Sequence, residues 1–363
     1  MPRLRVGLLF GGRSAEHEVS CQSARHVAAA MDPDRYEVIP IGISREGKWV
    51  LPDESSRALE GNPLKIPSEA FAAEGRPVAL VPDPARQELI AADPQYGLPQ
   101  VKLDVVFPVL HGPFGEDGTV QGLLELAGIP YVGSGVLGSA NGMDKEKMKI
   151  LFAAAGLPIG DYLAIRAHQW ANDKDRLLDE SAWLGFPVFT KPANLGSSVG
   201  ISRCTDLKSL QAGIELAFSY DRKVVVEQGI SGREIECGIL GNESPIASVC
   251  GEVLAAGEFY DYESKYIDAD SRAIVPAAVP EPVAEIVRSY SLRAFQAIDA
   301  AGMARVDFFY EEGGRGVVAN EINTIPGFTT ISMFPMLWKS SGLTYSDLID
   351  RLIALGLDRH SRR

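Results

Sequence analysis

Cysteine is scarce in this chain. Its four thiols, Cys21, Cys204, Cys237 and Cys250, form no CxxC pair and no Cys/His pattern with metal spacing. A disulfide framework and a zinc site of that kind are therefore excluded, and reduced thiols of a cytosolic protein are expected. Long apolar runs are also missing. No stretch approaches the roughly 18 residues that cross a bilayer. The opening "MPRLRVGLLFGG" carries a short apolar run that stops at glycines, which reads as a buried first strand and not as a signal peptide. Positive charge is in deficit, with 35 Lys and Arg against 48 Asp and Glu and a net charge of −13. Nucleic acid is thereby disfavoured as a partner, because neutralising phosphates needs clustered cations. An anionic substrate stays open, since a few cations within one cleft suffice. The Walker A loop is absent as well, and the Gly-Gly turn after the first strand does not continue into the G-x-G-x-x-G dinucleotide fingerprint.

What is present is alternation. At 363 residues the chain is long enough for two or three domains at about 150 residues each. "LRVGLLF" (4–10), "YEVIPIGI" (36–43) and "LDVVFPVL" (103–110) read as buried strands, and 16–32 as a helix with an apolar stripe including Val19, His26 and Val27. A parallel βαβ arrangement follows. Residues 52–100, rich in Pro, Ala and acidic side chains, read as a peripheral insertion without chemistry. A second unit begins near Gly133. It has a helix in "MDKEKMKILFAAAG", a strand at "DYLAIR", a helix at 173–184 and strands at "FPVFTK" and 222–228. Beyond it the pattern gives a strand at 233–240, a helix at 282–301 and the strand pair "MARVDFFY" and "GVVANEIN".

Several stretches can carry chemistry. In "GGRSAEHEVS" the Gly-Gly turn lets backbone approach a ligand at a helix N-terminus, or is simply a tight turn with Glu16 and Glu18 in the first helical turn. "HGPFGEDGTVQG" follows a buried strand, at the sheet end where open α/β folds bind ligands. His111 there suits an anion contact or proton relay, while Glu116 and Asp117 equally suit a helix start. In "KPANLGSSVG", Lys191 ends a strand before glycines and serines that can line an anion-binding concavity or form an ordinary turn. "EFYDYESKYID" reads either as a solvated loop or as a lid tipped by Lys265 and Tyr266.

The strongest signal is a hairpin. Arg305 and Asp307 share one face of "RVDFFY", and Glu321 and Asn323 share one face of "NEIN", with the turn "EEGGRG" between. A register pairing Asp307 with Glu321 and Arg305 with Asn323 brings four polar groups together. Opposed carboxylates repel on the scale of the roughly 0.2–1 kcal/mol of cross-strand pairs, or more when buried. A divalent cation removes the conflict, and oxygen donors of this kind suit Mg²⁺ shared with substrate phosphates.

Taken in order, "GGRSAEHEVS", "HGPFGEDGTVQG", "GMDKEKMK", "KPANLGSSVG", "VEQGISGREIE", "YDYESKY", "ARVDFF" and "NEINTIPGFTTISM" resemble the D-alanine–D-alanine ligases of the ATP-grasp superfamily over essentially the whole chain. The resemblance implies an α/β protein, α+β in part, with a three-domain ATP-grasp fold. The expected parts are an N-terminal parallel α/β domain (1–133, with the insertion at about 52–100), a small central domain (134–232) and a C-terminal catalytic domain (233–363) with a loop at about 256–272. It implies a cytoplasmic, homodimeric enzyme of peptidoglycan precursor synthesis, with D-alanine and ATP as partners and no nucleic acid or membrane. Two Mg²⁺ ions are expected, with Mn²⁺ as a substitute. Carried over by position, Lys145, Lys191 and Lys265 match phosphate contacts, Glu227 and Glu234 ribose and adenine-side acids, Gln228 and Ile230 backbone contacts to adenine, and Phe259 the ring over the base. Asp307, Glu321 and Asn323 match metal ligands, and Arg305 with the Gly327 N–H the oxyanion donors. Glu16, Ser197 and Tyr266 match a triad that orients substrates and loop, His111 a neighbour of the first D-alanine, and Ser332 a contact to the second. The alternative within the superfamily is a ligase using D-serine or D-lactate as second substrate. Tyr266 favours an amine, since D-lactate-using relatives lack that tyrosine.

Overall fold

The computed structural model describes residues 2–51, 75–93, 101–254 and 272–362. The first sheet is built on β1 (Leu4–Gly11), which pairs in parallel with β2 (Tyr36–Ile43) and with β7 (Val105–Val109). Strand alternation divides β1 between two cores. Val6, Leu8 and Phe10 face Ala24 and Val27 of α1 (His17–Ala30) and Leu348, Ile349, Leu352 and Ile353 of α9 (Tyr345–Ser361). Leu9 faces the other core, with Ile39, Ile41, Val106 and Leu124. The Gly11-Gly12 turn closing β1 needs glycine, because both residues have positive φ and a Cβ at Gly11 would lie 2.4 Å from the Ile43 carbonyl oxygen.

The segment expected to be a peripheral insertion contributes to this core. Beyond β3 (Trp49–Leu51), the described residues form β4 (Arg76–Leu80), β5 (Glu88–Ala91) and β6 (Val101–Lys102), antiparallel strands that extend the sheet to the order β6-β5-β4-β3-β2-β1-β7. Val78, Leu80 and Leu89 are buried in it. Their short alternation is masked in the sequence by flanking Pro and charged residues.

A second, four-stranded antiparallel sheet has the order β10 (Ser202–Cys204), β9 (Val188–Pro192), β11 (Lys223–Gln228), β8 (Tyr162–Arg166). Leu177 of α5 (Ala167–Ala182) and Leu210 and Ile214 of α6 (Leu207–Phe218) cover one of its faces. Helix α5 starts earlier than the expected 173–184 and carries a non-helical residue, Asp173, inside. The third sheet is antiparallel with the order β14 (Arg272–Ile274), β13 (Ile246–Leu254), β12 (Arg233–Gly241), β15 (Gly302–Glu311), β16 (Gly316–Asn323). One face buries Ile235, Val306, Phe308 and Ala319 beneath Val287 and Phe295 of α7 (Glu281–Ala297). That helix ends short of the expected 301, just before Asp299 turns to positive φ. Across the opposite face lies α8 (Met333–Ser340), seated where Gly238 and Gly251 leave no side chain. A Cβ at Gly251 would lie 2.5 Å from Met333 Sδ, and one at Gly238 would lie 3.3 Å from the Phe334 ring. The aromatic file Phe107, Phe328, Phe334 and Trp338 joins the first sheet to α8 through edge-on contacts of 5.6–6.3 Å.

Candidate active site

A cleft of about 2290 Å³ opens between the second and third sheets and reaches the ends of β1 and β7. That exceeds the roughly 300–1,000 Å³ of an ordinary small-molecule pocket, so more than one ligand fits. Its cationic side is assembled around Glu227 near the end of β11. Lys191, facing it from β9, places Nζ 2.8 Å from Glu227 Oε2. Lys149, on α4 (Lys145–Ala154), which follows α3 (Val136–Met143), places its ammonium 3.4 Å from Glu227 Oε1. Lys149 is only 2% exposed. Burial works to raise the Glu227 carboxyl, but the two lysines overcome it and hold it down at about 2. Burial likewise lowers Lys149 below the usual lysine range against the opposing pull of Glu227. For Lys191, Glu227 and Glu321 more than offset burial and leave it raised.

The first turn of α4 is fixed by a separate network. Asp144 caps the helix by accepting from Lys147 N, while Lys223 Nζ bonds Asp144 (2.5 and 2.6 Å) and Glu146 (2.7 Å). Lys145, first in the helix, then donates Nζ to the Leu195 carbonyl at 2.6 Å and its backbone N–H to Ala193. Asp221 accepts from both nitrogens of Asn194 at 2.8 Å. The base of "KPANLGSSVG" is thus tied down. Its middle is unusual: Ser197 and Ser198 both have positive φ, and Ser197 Oγ is buried without a hydrogen-bond partner.

On the anionic side, β15 and β16 pair as the sequence predicts, Asp307 opposite Glu321 and Arg305 opposite Asn323, with an irregularity just after Asp307. The next strand inward adds a carboxylate that the sequence reading missed. Glu236 of β12 lies directly opposite Asp307, giving a row Glu236–Asp307–Glu321 across three strands. Arg305 lies beside the row. Its Nε and Nη2 fork onto Asp307 at 2.7 Å each, and Nε stands 2.9 Å from Glu236 Oε2. Burial opposes the guanidinium charge, but Asp307 and Glu236 leave it firmly protonated. Asn323 Nδ2 donates to Asp307 at 3.0 Å. Among the described residues no group of three His, Cys, Asp or Glu could hold a metal ion; the oxygen set here is two carboxylates and an amide, with Glu236 on the arginine side.

The third wall comes from loops. Ser20 ties the ends of β1 and β7 together by accepting from Gly11 N and donating to the Val109 carbonyl, which brings "GGRSAEHE" beside "HGPFGEDG". The Glu16 carboxylate lies between the two glycine backbones, where a Cβ at Gly112 or Gly196 would come within 3.1 or 3.0 Å of Oε2. His111 bonds the Ile325 carbonyl through Nδ1 at 3.0 Å, and its Nε2 is buried with no hydrogen-bond partner. Burial lowers its pKa, so the ring is neutral. Glu116 is not part of a helix start. Its oxygens accept from Gly112 N (2.8 Å) and Ile325 N (3.0 Å), while Asp117 accepts from Thr119 N at the start of α2 (Thr119–Leu126). Burial and Glu16 raise the Glu116 carboxyl to about 8. Gly327 closes the wall, so near Ser332 that a Cβ would lie 2.8 Å from its Oγ. Ser332 Oγ is itself held by Thr329 at 2.7 and 3.0 Å.

The structure therefore gathers Glu16, His111, Lys145, Lys191, Ser197, Glu227, Gln228, Ile230, Glu234, Arg305, Asp307, Glu321, Asn323, Gly327 and Ser332 around one cleft. The Gln228 N–H donates to the Asp161 carbonyl at 2.9 Å, so a backbone contact from this residue to a base falls to its carbonyl. Phe259, Lys265 and Tyr266 lie outside the described residues. Lys149 and Glu236 were not anticipated, although each stands in a quoted motif. Lys149 lies one helical turn beyond Lys145, and Glu236 shares a strand face with Glu234.

Two antiparallel sheets facing each other across buried lysines and carboxylates, beside a partly parallel α/β unit, define the class: this is an α/β enzyme of ATP-grasp architecture. The family signature described as D-ala D-ala ligase N-terminus matches residues 5–134, and that described as D-ala D-ala ligase C-terminus matches 151–354. The chain belongs to the D-alanine–D-alanine ligase family. It is 48% identical to the D-alanine–D-alanine ligase of Geobacillus thermodenitrificans, over 99% of this chain and 97% of that one. It is 46% identical to D-alanine–D-alanine ligase A of Escherichia coli K12, covering 99% and 98%. Among solved structures, the D-alanine–D-alanine ligase of Coxiella burnetii superposes with a TM-score of 0.86 at 34% identity, covering 100% and 96%. The VanG D-Ala:D-Ser ligase of Enterococcus faecalis gives 0.85 at 34%, covering 98% and 100%. No helix among the described residues is long and apolar enough to cross a membrane.

Proposed function

We propose that the chain joins two D-alanines into D-alanyl-D-alanine at the expense of ATP, releasing ADP and phosphate, for peptidoglycan precursor synthesis. The observation that carries this reading is the opposition, in one cleft, of the Lys145–Lys149–Lys191 cluster to the Arg305–Asp307–Glu321–Asn323 face. A polyphosphate needs the first, and charge developing on a reacting carboxylate needs the second. We assign the γ-phosphate contacts to Lys145 and Lys191, joined by Lys265, and the nucleoside side to Glu227, Gln228, Ile230, Glu234 and Phe259. The carboxylate of the first D-alanine attacks the γ-phosphorus, ADP leaves, and an acylphosphate forms. The amine of the second D-alanine then attacks the acyl carbon, and phosphate leaves. Arg305 and the Gly327 N–H hold the tetrahedral oxyanion. Glu16, Ser197 and Tyr266 orient the substrates and loop, with neutral His111 beside the first D-alanine and Ser332 beside the second.

Asp307, Glu321 and Asn323 offer only oxygen donors and two directly opposed carboxylates, a set that fits Mg²⁺, or Mn²⁺ in its place. Bound there, the cation supplies charge neutralisation to phosphoryl transfer. We further propose a cytoplasmic homodimer, with domains at 1–133, 134–232 and 233–363; three separate sheets support those bounds. The curated relatives at 46–48% identity are named for D-alanine alone, which favours D-alanine over D-serine or D-lactate as second substrate. The test is phosphate release from ATP with D-alanine alone, with D-alanine plus D-lactate and with D-alanine plus D-serine, the products being separated. Turnover to the D-Ala-D-Ala product on D-alanine alone is expected. Its absence would remove the proposal.

A further inference from the structure

The carboxylate row sets two demands on the same bonds. The proposed function asks Asp307 for a cation and Arg305 for the oxyanion, yet Arg305 spends two 2.7 Å bonds on Asp307. As Asp307 turns its oxygens toward a cation, its hold on the guanidinium weakens and the cation itself repels that charge. A buried guanidinium left with no acceptor is costly, and a mobile one is a poor oxyanion donor. Glu236 answers both problems. It stands directly opposite Asp307 in the middle of the sheet, is only 8% exposed, and already lies 2.9 Å from Arg305 Nε. Its strand partner Gly251 and its same-face neighbour Gly238 leave room for Met333 and Phe334 of α8, so that helix packs on the same face of the sheet.

We propose that Glu236 is a positioning residue for Arg305, the second anchor that keeps the guanidinium aimed at the reacting carbonyl when Asp307 gives its oxygens to a cation. This inference rests on the proposed function for the roles of Arg305 and Asp307. Its core test does not require turnover.

The test is a double-mutant cycle with Mn²⁺ and ADP as probes, binding being read by electron paramagnetic resonance on folded protein. Without Glu236 the arginine stays wholly on Asp307 and competes with the ion, so Glu236→Gln should weaken Mn²⁺ binding by about tenfold. In the Arg305→Ala background nothing competes, and the same change should cost less than about twofold. Equal losses in both backgrounds would mean that Glu236 acts only as a distant charge, and would overturn the proposal. In turnover, Glu236→Gln should lower kcat at least about tenfold with the ATP KM within about twofold, and Glu236→Asp should recover part of the loss. A kcat within twofold of the parent at saturating cation would also overturn it. Should the Gln variant not fold, Glu236→Asp carries the same cycle with a smaller expected effect, judged by the same non-additivity. Failure of the parent to ligate D-alanine would instead count against the proposed function, and is read separately.

Discussion

Replacing Glu227 with Gln tests the electrostatic account of the cleft without any ligand. Glutamine mimics the protonated carboxyl and leaves Lys149 and Lys191 facing each other with their shared counter-ion gone. The carboxyl is held at about 2 against an ordinary 4.5. At about 1.4 kcal/mol per pH unit, that is a contribution of about 3 kcal/mol near neutrality. The group is buried, so solvent screening removes little of it. Because the folded pKa is depressed, the contribution is fully present above about pH 4.5 and fades as pH falls toward 2. Urea denaturation followed by tryptophan fluorescence should therefore show the variant less stable by about 3 kcal/mol at pH 7. The gap between parent and variant should narrow steadily below pH 4.5. A gap under about 1 kcal/mol at pH 7, or one that does not change with acid, would refute the assignment of Glu227 as the counter-ion of two buried lysines.

Three further outcomes are expected. Glu321→Gln should abolish cation-dependent phosphate release while leaving the denaturation midpoint near that of the parent; retained activity would take Glu321 out of the metal set. Gly327→Ala should raise the KM for the second D-alanine or stop ligation, since the new methyl meets Ser332 Oγ at 2.8 Å; unchanged kinetics would separate that loop from the substrate. Glu116→Gln should gain stability relative to the parent as pH rises from 4.5 to about 8, because a carboxyl with a raised folded pKa loses its contribution through that window. A difference constant with pH in paired melts would contradict the raised carboxyl.

The sites that could be read from the sequence were those whose evidence is local. The β15–β16 hairpin announced itself because apolar and polar residues alternate on both strands across a short turn, which fixes register and face together. Lys149 gave no such sign. On α4 it follows Lys145 and Lys147 and reads as part of a solvated helix face; only when Glu227 arrives from β11, far along the chain, does it become buried. Glu236 was hidden for a related reason, since its meaning depends on a pairing between strands about 70 residues apart. Val78, Leu80 and Leu89 were missed because strands this short carry too few alternations to stand out from Pro-rich surroundings. For Glu116 the sequence left a helix start as one of two equal alternatives, because its motif ends in a helix; it is the neighbouring Asp117 that accepts from the first helical N–H.

The two glycines beside Glu16 have a mechanical consequence. Gly112 and Gly196 come from separate units of the fold, and each presents bare backbone within a methyl group's reach of the same carboxylate. A side chain in either place could shift rotamer and absorb a misfit, whereas peptide planes cannot. The two loops thus approach one carboxylate with main chain on both sides, and a methyl group added to either would crowd it. Any change in that spacing has to be taken up by the Glu16 side chain itself, the one adjustable part between the two loops.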